Sequence, residues 1–265
     1  MIELGRLVAI LQELAPTELS DLHDTPCFSR KYQEKVEKIG VCVDPTAENI
    51  RTASDRGVQL LLSHHQWLGE VAEVVEKKEL SLYCLHSAWN RASEGNTSTL
   101  ARLLNLEKPM LEGDVIKGET DMTLRELIGC CQRILEVNIL PYIGDLQGLV
   151  KRIVISSGPG FSPLNKEVWQ GWLAEGCDTI ISSELGRYAA AYLGGKGVNL
   201  INAGHSLMAK PGMKHLAYLL QNKLKIYQCE VEFYPDLYSV HYQTGSFYHA
   251  IGDEESAAGE EGIQK

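Results

Sequence analysis

The sequence predicts an α/β protein made of two related α/β lobes with mainly parallel sheets. Three observations carry that expectation. Short apolar runs alternate with stretches of helical spacing, the pattern of a parallel sheet covered by helices. The runs stop at polar residues: Leu60-Leu61-Leu62 at Ser63-His64-His65, Leu82 to Leu85 at His86, and Ile180-Ile181 at Ser182-Ser183-Glu184. The chain also repeats itself, because Val150 to Gly158 parallels Val36 to Asp44 and Gly176 to Glu184 parallels Gly57 to His65.

Taken in order, Ile2, Leu7, Val8, Ile10, Leu11 and Leu14 fall at near-helical spacing, and Pro16 ends that run. Residues 17–34 mix charges, His23, Pro26 and aromatics and read as an exposed connection. Val36 to Asp44 is strand-like, and Asp44-Pro45 reads as the N-cap and first-turn proline of a helix closed by Gly57. Val58 to Ser63 is the next strand, and so short an intervening helix implies a parallel crossover. A helix over 71–80 leads to the strand ending at His86. Ser87 to Gly95 reads as a loop, 96–104 as a helix, Leu111 to Thr120 as turn-rich, and Thr123 to Leu135 as a helix. In the second half a helix carrying Trp169, Trp172 and Leu173 stops at Gly176. Another spans about 185–194, and the strand Val198 to Asn202 then leads to Ala203-Gly204-His205. A helix over 206–223 and closing strands at Lys225 to Tyr227 and Val231 to Phe233 complete the core. We expect one domain over 1–250 with lobes of about 1–120 and 121–235, and a disordered acidic tail over 252–265.

At 265 residues, 44% hydrophobic and 23% charged, the chain has the size and balance of a soluble globular protein. Its formal charge of −10 argues against a general nucleic-acid binder, which needs clustered Lys and Arg to neutralise phosphates. The seven cysteines are odd in number and lack CxxC spacing, so they read as reduced thiols of a cytoplasmic protein. No stretch reads as a signal peptide or a membrane span.

His64, His65, His86 and His205 all end predicted strands, the edge where open parallel sheets bind ligands. Converging imidazoles suit Zn²⁺, Fe²⁺, Mn²⁺ or Ni²⁺, although any single one is more often a hydrogen-bonded core or edge residue. Glu184 is a candidate catalytic base, metal ligand or histidine partner, against a plain helix-start charge. Ser157-Gly158-Pro159-Gly160 reads as a tight turn more than an anion loop. Trp67, Trp89, Tyr188 and Tyr192 can line a ring pocket or fill core.

With these residues in view, the chain resembles the Nif-three-like family of dinuclear-metal-centre proteins, whose members are often labelled GTP cyclohydrolase type 2 homologues. The likeness rests on Ile10 to Pro16, on Ile39 to Gln66 leading into Ser63-His64-His65, and on His86-Ser87-Ala88-Trp89-Asn90 followed by Glu94-Gly95-Asn96. It rests further on Ser182-Ser183-Glu184 and on Ala203-Gly204-His205 through Gly212. The resemblance implies a Nif-three-like fold with a metal cleft between the lobes, and a homohexamer built as a trimer of dimers. It also marks two departures, because the family's bridging carboxylates fall here on Asn90 and Ala209, and its Trp-Asp-Asn reads His23-Asp24-Thr25. Two cations at close range repel unless anionic oxygens lie between them. An intact metal pair is therefore not expected. The expectation is one weakly held divalent transition metal, or none, on His64, His65 and His205, with His86 behind them, in a metal-binding, scaffold or metal-handling protein. The alternative is a cyclohydrolase-like, metal-dependent hydrolase acting on a nucleotide-like or small cyclic molecule.

Overall fold

The computed structural model describes residues 1–66 and 69–235, so the expected tail at 252–265 lies outside the described residues. One five-stranded sheet runs in the order Glu230–Tyr234, Lys38–Cys42, Leu60–Ser63, Ser81–Cys84 and Cys27–Arg30, parallel except for the last strand. A six-stranded sheet runs Glu107–Glu112, Val115–Thr123, Leu149–Ser156, Thr179–Ser182, Asn199–Asn202 and Tyr142–Ile143. Its Leu149–Ser156, Thr179–Ser182 and Asn199–Asn202 strands are parallel, with antiparallel strands outside them. The mixed α/β class read from the sequence is what the chain adopts.

The internal repeat is visible in register. Ile39 lies opposite Leu60 and Leu60 opposite Ser81; correspondingly Ile153 lies opposite Thr179 and Thr179 opposite Asn199. Gly57 and Gly176, at φ of 79° and 83°, close the two equivalent helices Ala47–Asp55 and Lys166–Ala174 in the left-handed conformation that glycine tolerates. The amide after each glycine then bonds back to the helix, Val58 to Ala53 O and Cys177 to Trp172 O.

All four residues of Leu60–Ser63, Ser81–Cys84 and Thr179–Ser182 are buried, which is why their apolar runs are continuous rather than alternating. Leu60 and Leu62 pack with Leu7 and Leu11 of the helix Leu4–Leu14 and with Met213, Leu216 and Leu220 of the helix His205–Lys223. Leu61 turns to the opposite face, against Ile50 and Ala53. In the second sheet Ile153, Ile155 and Ile181 face Leu124 and Leu127, while Val154 and Ile180 face Trp169 and Trp172. Each such side chain contributes about 1.5–3 kcal/mol by leaving water, and together they fix where the strands end.

Several elements differ from the sequence expectation. Thr46 rather than Asp44 caps the helix, its hydroxyl accepting from Asn49 N, because the Asp44 carboxylate is engaged elsewhere. The connection over 17–34 contains the edge strand Cys27–Arg30, and the expected loop at Ser87 begins inside a helix, His86–Arg91. The turn-rich stretch 111–120 belongs to the hairpin Glu107–Glu112/Val115–Thr123, and Lys225–Tyr227 is a 3-10 turn, not a strand. Sheet membership does not follow a cut near residue 120: Val115–Thr123 lies in the second sheet, while Glu230–Tyr234 returns to the first.

Candidate metal centre

The four histidines meet at the C-terminal edge of the first sheet. His64 and His65 follow the strand Leu60–Ser63, held by bonds from their amides to Val43 O at 3.1 and 3.0 Å and from Ser63 Oγ to His65 O at 2.7 Å. His86 and His205 each open a helix, His205 behind Gly204 at φ 78°. Ring centroids lie 4.6 Å apart for His64–His65, 4.7 Å for His64–His86, 5.4 Å for His65–His86 and 4.9 Å for His65–His205. One nitrogen from each of His64, His65 and His86 lies within 4.8 Å of the others.

Each ring is set by a partner at Nδ1. His65 meets Asp44 Oδ1 at 2.5 Å, and His86 meets Asp24 Oδ2 at 2.6 Å. An ionised carboxylate only accepts, so both imidazoles donate from Nδ1 and keep the Nε2 lone pair free. Asp44 is braced across the repeat by Ser206 Oγ at 2.7 Å, and Asp24 takes the Ser87 amide at 3.0 Å. Burial pushes the Asp24 carboxyl up, but hydrogen bonds from Ser87 and His86 outweigh it and hold the group below its ordinary value. His205 Nδ1 lies 3.4 Å from Ser183 Oγ and 3.5 Å from Glu184 Oε1.

His64, 1% exposed, is the buried member. Burial first, then repulsion from His65, His86 and His205, drives its basicity well below the ordinary histidine value; burial and His65 lower His205 as well. His64 and His205 are thereby biased toward the neutral ring, the form that ligates metals. Its most telling atom is His65 Nε2, buried with no hydrogen-bond partner while Nδ1 is tied to Asp44. A buried nitrogen lone pair without a donor costs free energy that a cation would recover. By this measure the residues fit a divalent metal, with the carboxylate–imidazole pairs that orient metal-binding histidines elsewhere.

Asn90 and Ala209 lie one helical turn after His86 and His205, on the same helix faces. Asn90 is 4% exposed, and its Oδ1 accepts from Asn96 Nδ2 at 2.8 Å. Asn96 Nδ2 also lies 3.3 Å from His64 Nδ1. An asparagine at 90 can donate as well as accept. The two amides can thus be reversed together, which turns Asn96 Oδ1 toward His64 Nδ1 and frees that ring's Nε2. Ala209 offers no donor and sits in the apolar cluster with Trp89 and Met213. Glu184, whose side chain is 58% exposed, occupies a left-handed backbone position at φ 64°, uncommon for a residue with a side chain.

Asp24, Asp44 and Asn96 went unassigned as site residues in the sequence. Asp24 stood in a motif match whose neighbours, His23 and Thr25, had changed while it had not, and that was its available signal. Ser157 to Gly160 is a tight turn whose groups bond internally: Gly160 N donates to Ser182 Oγ at 2.9 Å, and Gly158 O accepts from Ser182 Oγ and Ser183 Oγ at 3.0 Å each. Trp89 is core, Tyr188 and Tyr192 stack beside Trp169 away from the histidines, and Trp67 lies outside the described residues. Among the described residues no helix is long and apolar enough to cross a membrane.

Comparison with known proteins agrees with the fold. The family model for Duf34/NIF3 (NGG1p interacting factor 3) matches residues 2–236. A GTP cyclohydrolase 1 type 2 homolog from Clostridium perfringens is 25% identical over 228 residues, covering 77% of this chain and 85% of that protein. A protein of the same description from Methanocaldococcus jannaschii is 24% identical over 248 residues, 86% and 98% of the two chains. Among solved structures, a Bacillus cereus protein related to NIF3 superposes with a TM-score of 0.78 at 13% identity, covering 92% of this chain and 99% of that one. Reduced HcgD from M. jannaschii gives 0.74 at 20% identity, covering 88% and 97%. With its fold and nearly its whole described length matched, the chain belongs to the Duf34/NIF3 family.

Proposed function

We propose that this chain is a metal-handling member of its family that holds one divalent transition metal, not a carboxylate-bridged pair, among His64, His65 and His205. The observation that carries the reading is the buried, unpartnered Nε2 of His65 beside the buried ring of His64, whose basicity is held well below the ordinary histidine value. Asn90 and Ala209 supply no anionic bridge for a second ion. The seven cysteines, none of them in a disulfide, fit a reducing, cytoplasmic setting, and the family resemblance supports a homohexamer. Elemental analysis of the purified, reconstituted protein should return one metal per chain. Less than about a tenth per chain would overturn the reading.

A second reading, a metal-dependent hydrolase for a nucleotide-like or small cyclic substrate, is favoured by Glu184. Its carboxylate lies beside His205 yet is more than half exposed, so it can take a proton from a molecule in the cleft. When bound, the ion would supply Lewis-acid polarisation of a substrate oxygen. His205, oriented by Ser183 and Glu184, would be among the residues that hold that ion. Turnover abolished by Glu184→Gln with metal content unchanged supports this reading; undiminished turnover in that variant removes it.

A further inference from the structure

We propose that His86 is an inner ligand, so that this chain replaces its two missing bridging carboxylates with a shell of four imidazoles, His64, His65, His86 and His205. The inference rests on the single-ion reading above and names the ligand that reading left outside.

Geometry supports it in two ways. An imidazole bound at about 2.1 Å places its ring centre about 3.2 Å from the metal, so two rings on one ion stand about 4.5 Å apart at a right angle and about 5.2 Å apart at the tetrahedral angle. The separations of His64–His65, His64–His86 and His65–His205, 4.6, 4.7 and 4.9 Å, fall in that interval and His65–His86 at 5.4 Å lies just above it, with His205 making its ring contact to His65. Aromatic rings in simple contact range more widely, from about 4.5 to 7 Å. The second support is orientation. His86 is held by Asp24 in the way that His65 is held by Asp44, Nδ1 on a carboxylate oxygen at 2.6 and 2.5 Å. A histidine serving only to orient a ligand would spend its nitrogen on another histidine. His86 instead has its own carboxylate and belongs to the compact three-nitrogen group.

Charge is arranged to match. Imidazole brings no negative charge of its own, and the carboxylates of Asp24, Asp44 and Glu184 stand behind three of the rings, where they would offset a dication. Such a site favours ions that prefer nitrogen. Zn²⁺, Cu²⁺, Ni²⁺ and Co²⁺ bind imidazole well, whereas Mg²⁺ and Ca²⁺ demand oxygen, and Mn²⁺ stands lowest in the divalent order.

X-ray absorption at the zinc edge of the full-length zinc protein counts imidazole ligands directly. The expected result is four in the native chain and three in His86→Ala and His86→Gln, with zinc affinity falling more than about 100-fold in both. Asp24→Asn, which keeps the ring but weakens its support, should cost about 10–100-fold. Millimolar Mg²⁺, Ca²⁺ or Mn²⁺ should not displace zinc. Three imidazoles in the native chain, with His86→Gln binding zinc within about tenfold of it, would overturn the assignment of His86 while leaving the single-ion reading standing. No bound zinc in the native chain would overturn both. The native ligand count decides the matter even if a variant fails to fold.

Discussion

Putting back the family's carboxylates, Asn90→Asp with Ala209→Glu, tests why this pocket should hold one ion rather than two. Position 90 is 4% exposed and its oxygen accepts from Asn96 Nδ2, a bond that an aspartate keeps. Position 209 is also 4% exposed and packs with Trp89 and Met213, so a glutamate there buries a carboxylate with no partner of its own. An unpaired buried charge costs about 3–5 kcal/mol, which for a domain of this size lowers Tm by about 6–20 °C in the metal-free protein. Two ions bound next to those carboxylates would remove the penalty. Each ion at 100 times its Kd would add about 2.7 kcal/mol more. Scanning calorimetry with and without zinc, together with elemental analysis, reads both effects. The expected variant is less stable than the native chain without metal, regains that loss with zinc, and binds two ions per chain. A variant that still binds one ion, or whose Tm ignores zinc, would refute the reasoning that missing bridges limit the site.

Three further outcomes follow from the same geometry. Asp44→Asn removes the acceptor-only partner of His65 Nδ1 and the brace from Ser206, so metal affinity measured by competition with a chelating dye should fall about 10–100-fold. In the chelated protein, His64 and His205 titrate below the ordinary 6.5. Below that pH the unfolded chain binds protons that the folded chain refuses, so stability is complete above about pH 6.5 and falls as pH drops. Urea midpoints should show that slope, and His64→Gln should flatten it. Gly212→Ala would place a methyl 2.0 Å from Asn96 Oδ1 and 2.6 Å from Asn96 Cα, a backbone clash that cannot relax by a rotamer change. It should cost about 1–3 kcal/mol in a denaturation curve and weaken metal binding through His64.

How much of this was legible in the sequence depends on whether the signal was local. The strand Leu60–Ser63 and the histidines after it could be read because a fully buried parallel strand is an uninterrupted apolar run, and its end is a change of polarity. The repeat could be read because equivalent glycines, Gly57 and Gly176, close equivalent helices. Asp24 gave no such sign. It lies in a stretch without periodicity, and it reaches His86 because the nearby strand Cys27–Arg30 pairs with Ser81–Cys84, a contact between distant parts of the chain. Asp44 looked like a helix cap, a role that Asp and Thr fill equally well; only the fold shows that Thr46 caps while Asp44 turns to His65. The hairpin Glu107–Glu112/Val115–Thr123 was hidden by its exposed, polar outer strand. The return of Glu230–Tyr234 to the first sheet is a non-local pairing that composition does not record.

Nothing tests the single-ion centre more directly than an anomalous-difference map from a crystal of the zinc-reconstituted full-length protein, collected on both sides of the zinc edge. One peak per chain, bounded by His64, His65, His86 and His205, is the expected result. Two peaks a few ångströms apart, or no peak among these histidines in a fully reconstituted sample, would contradict it.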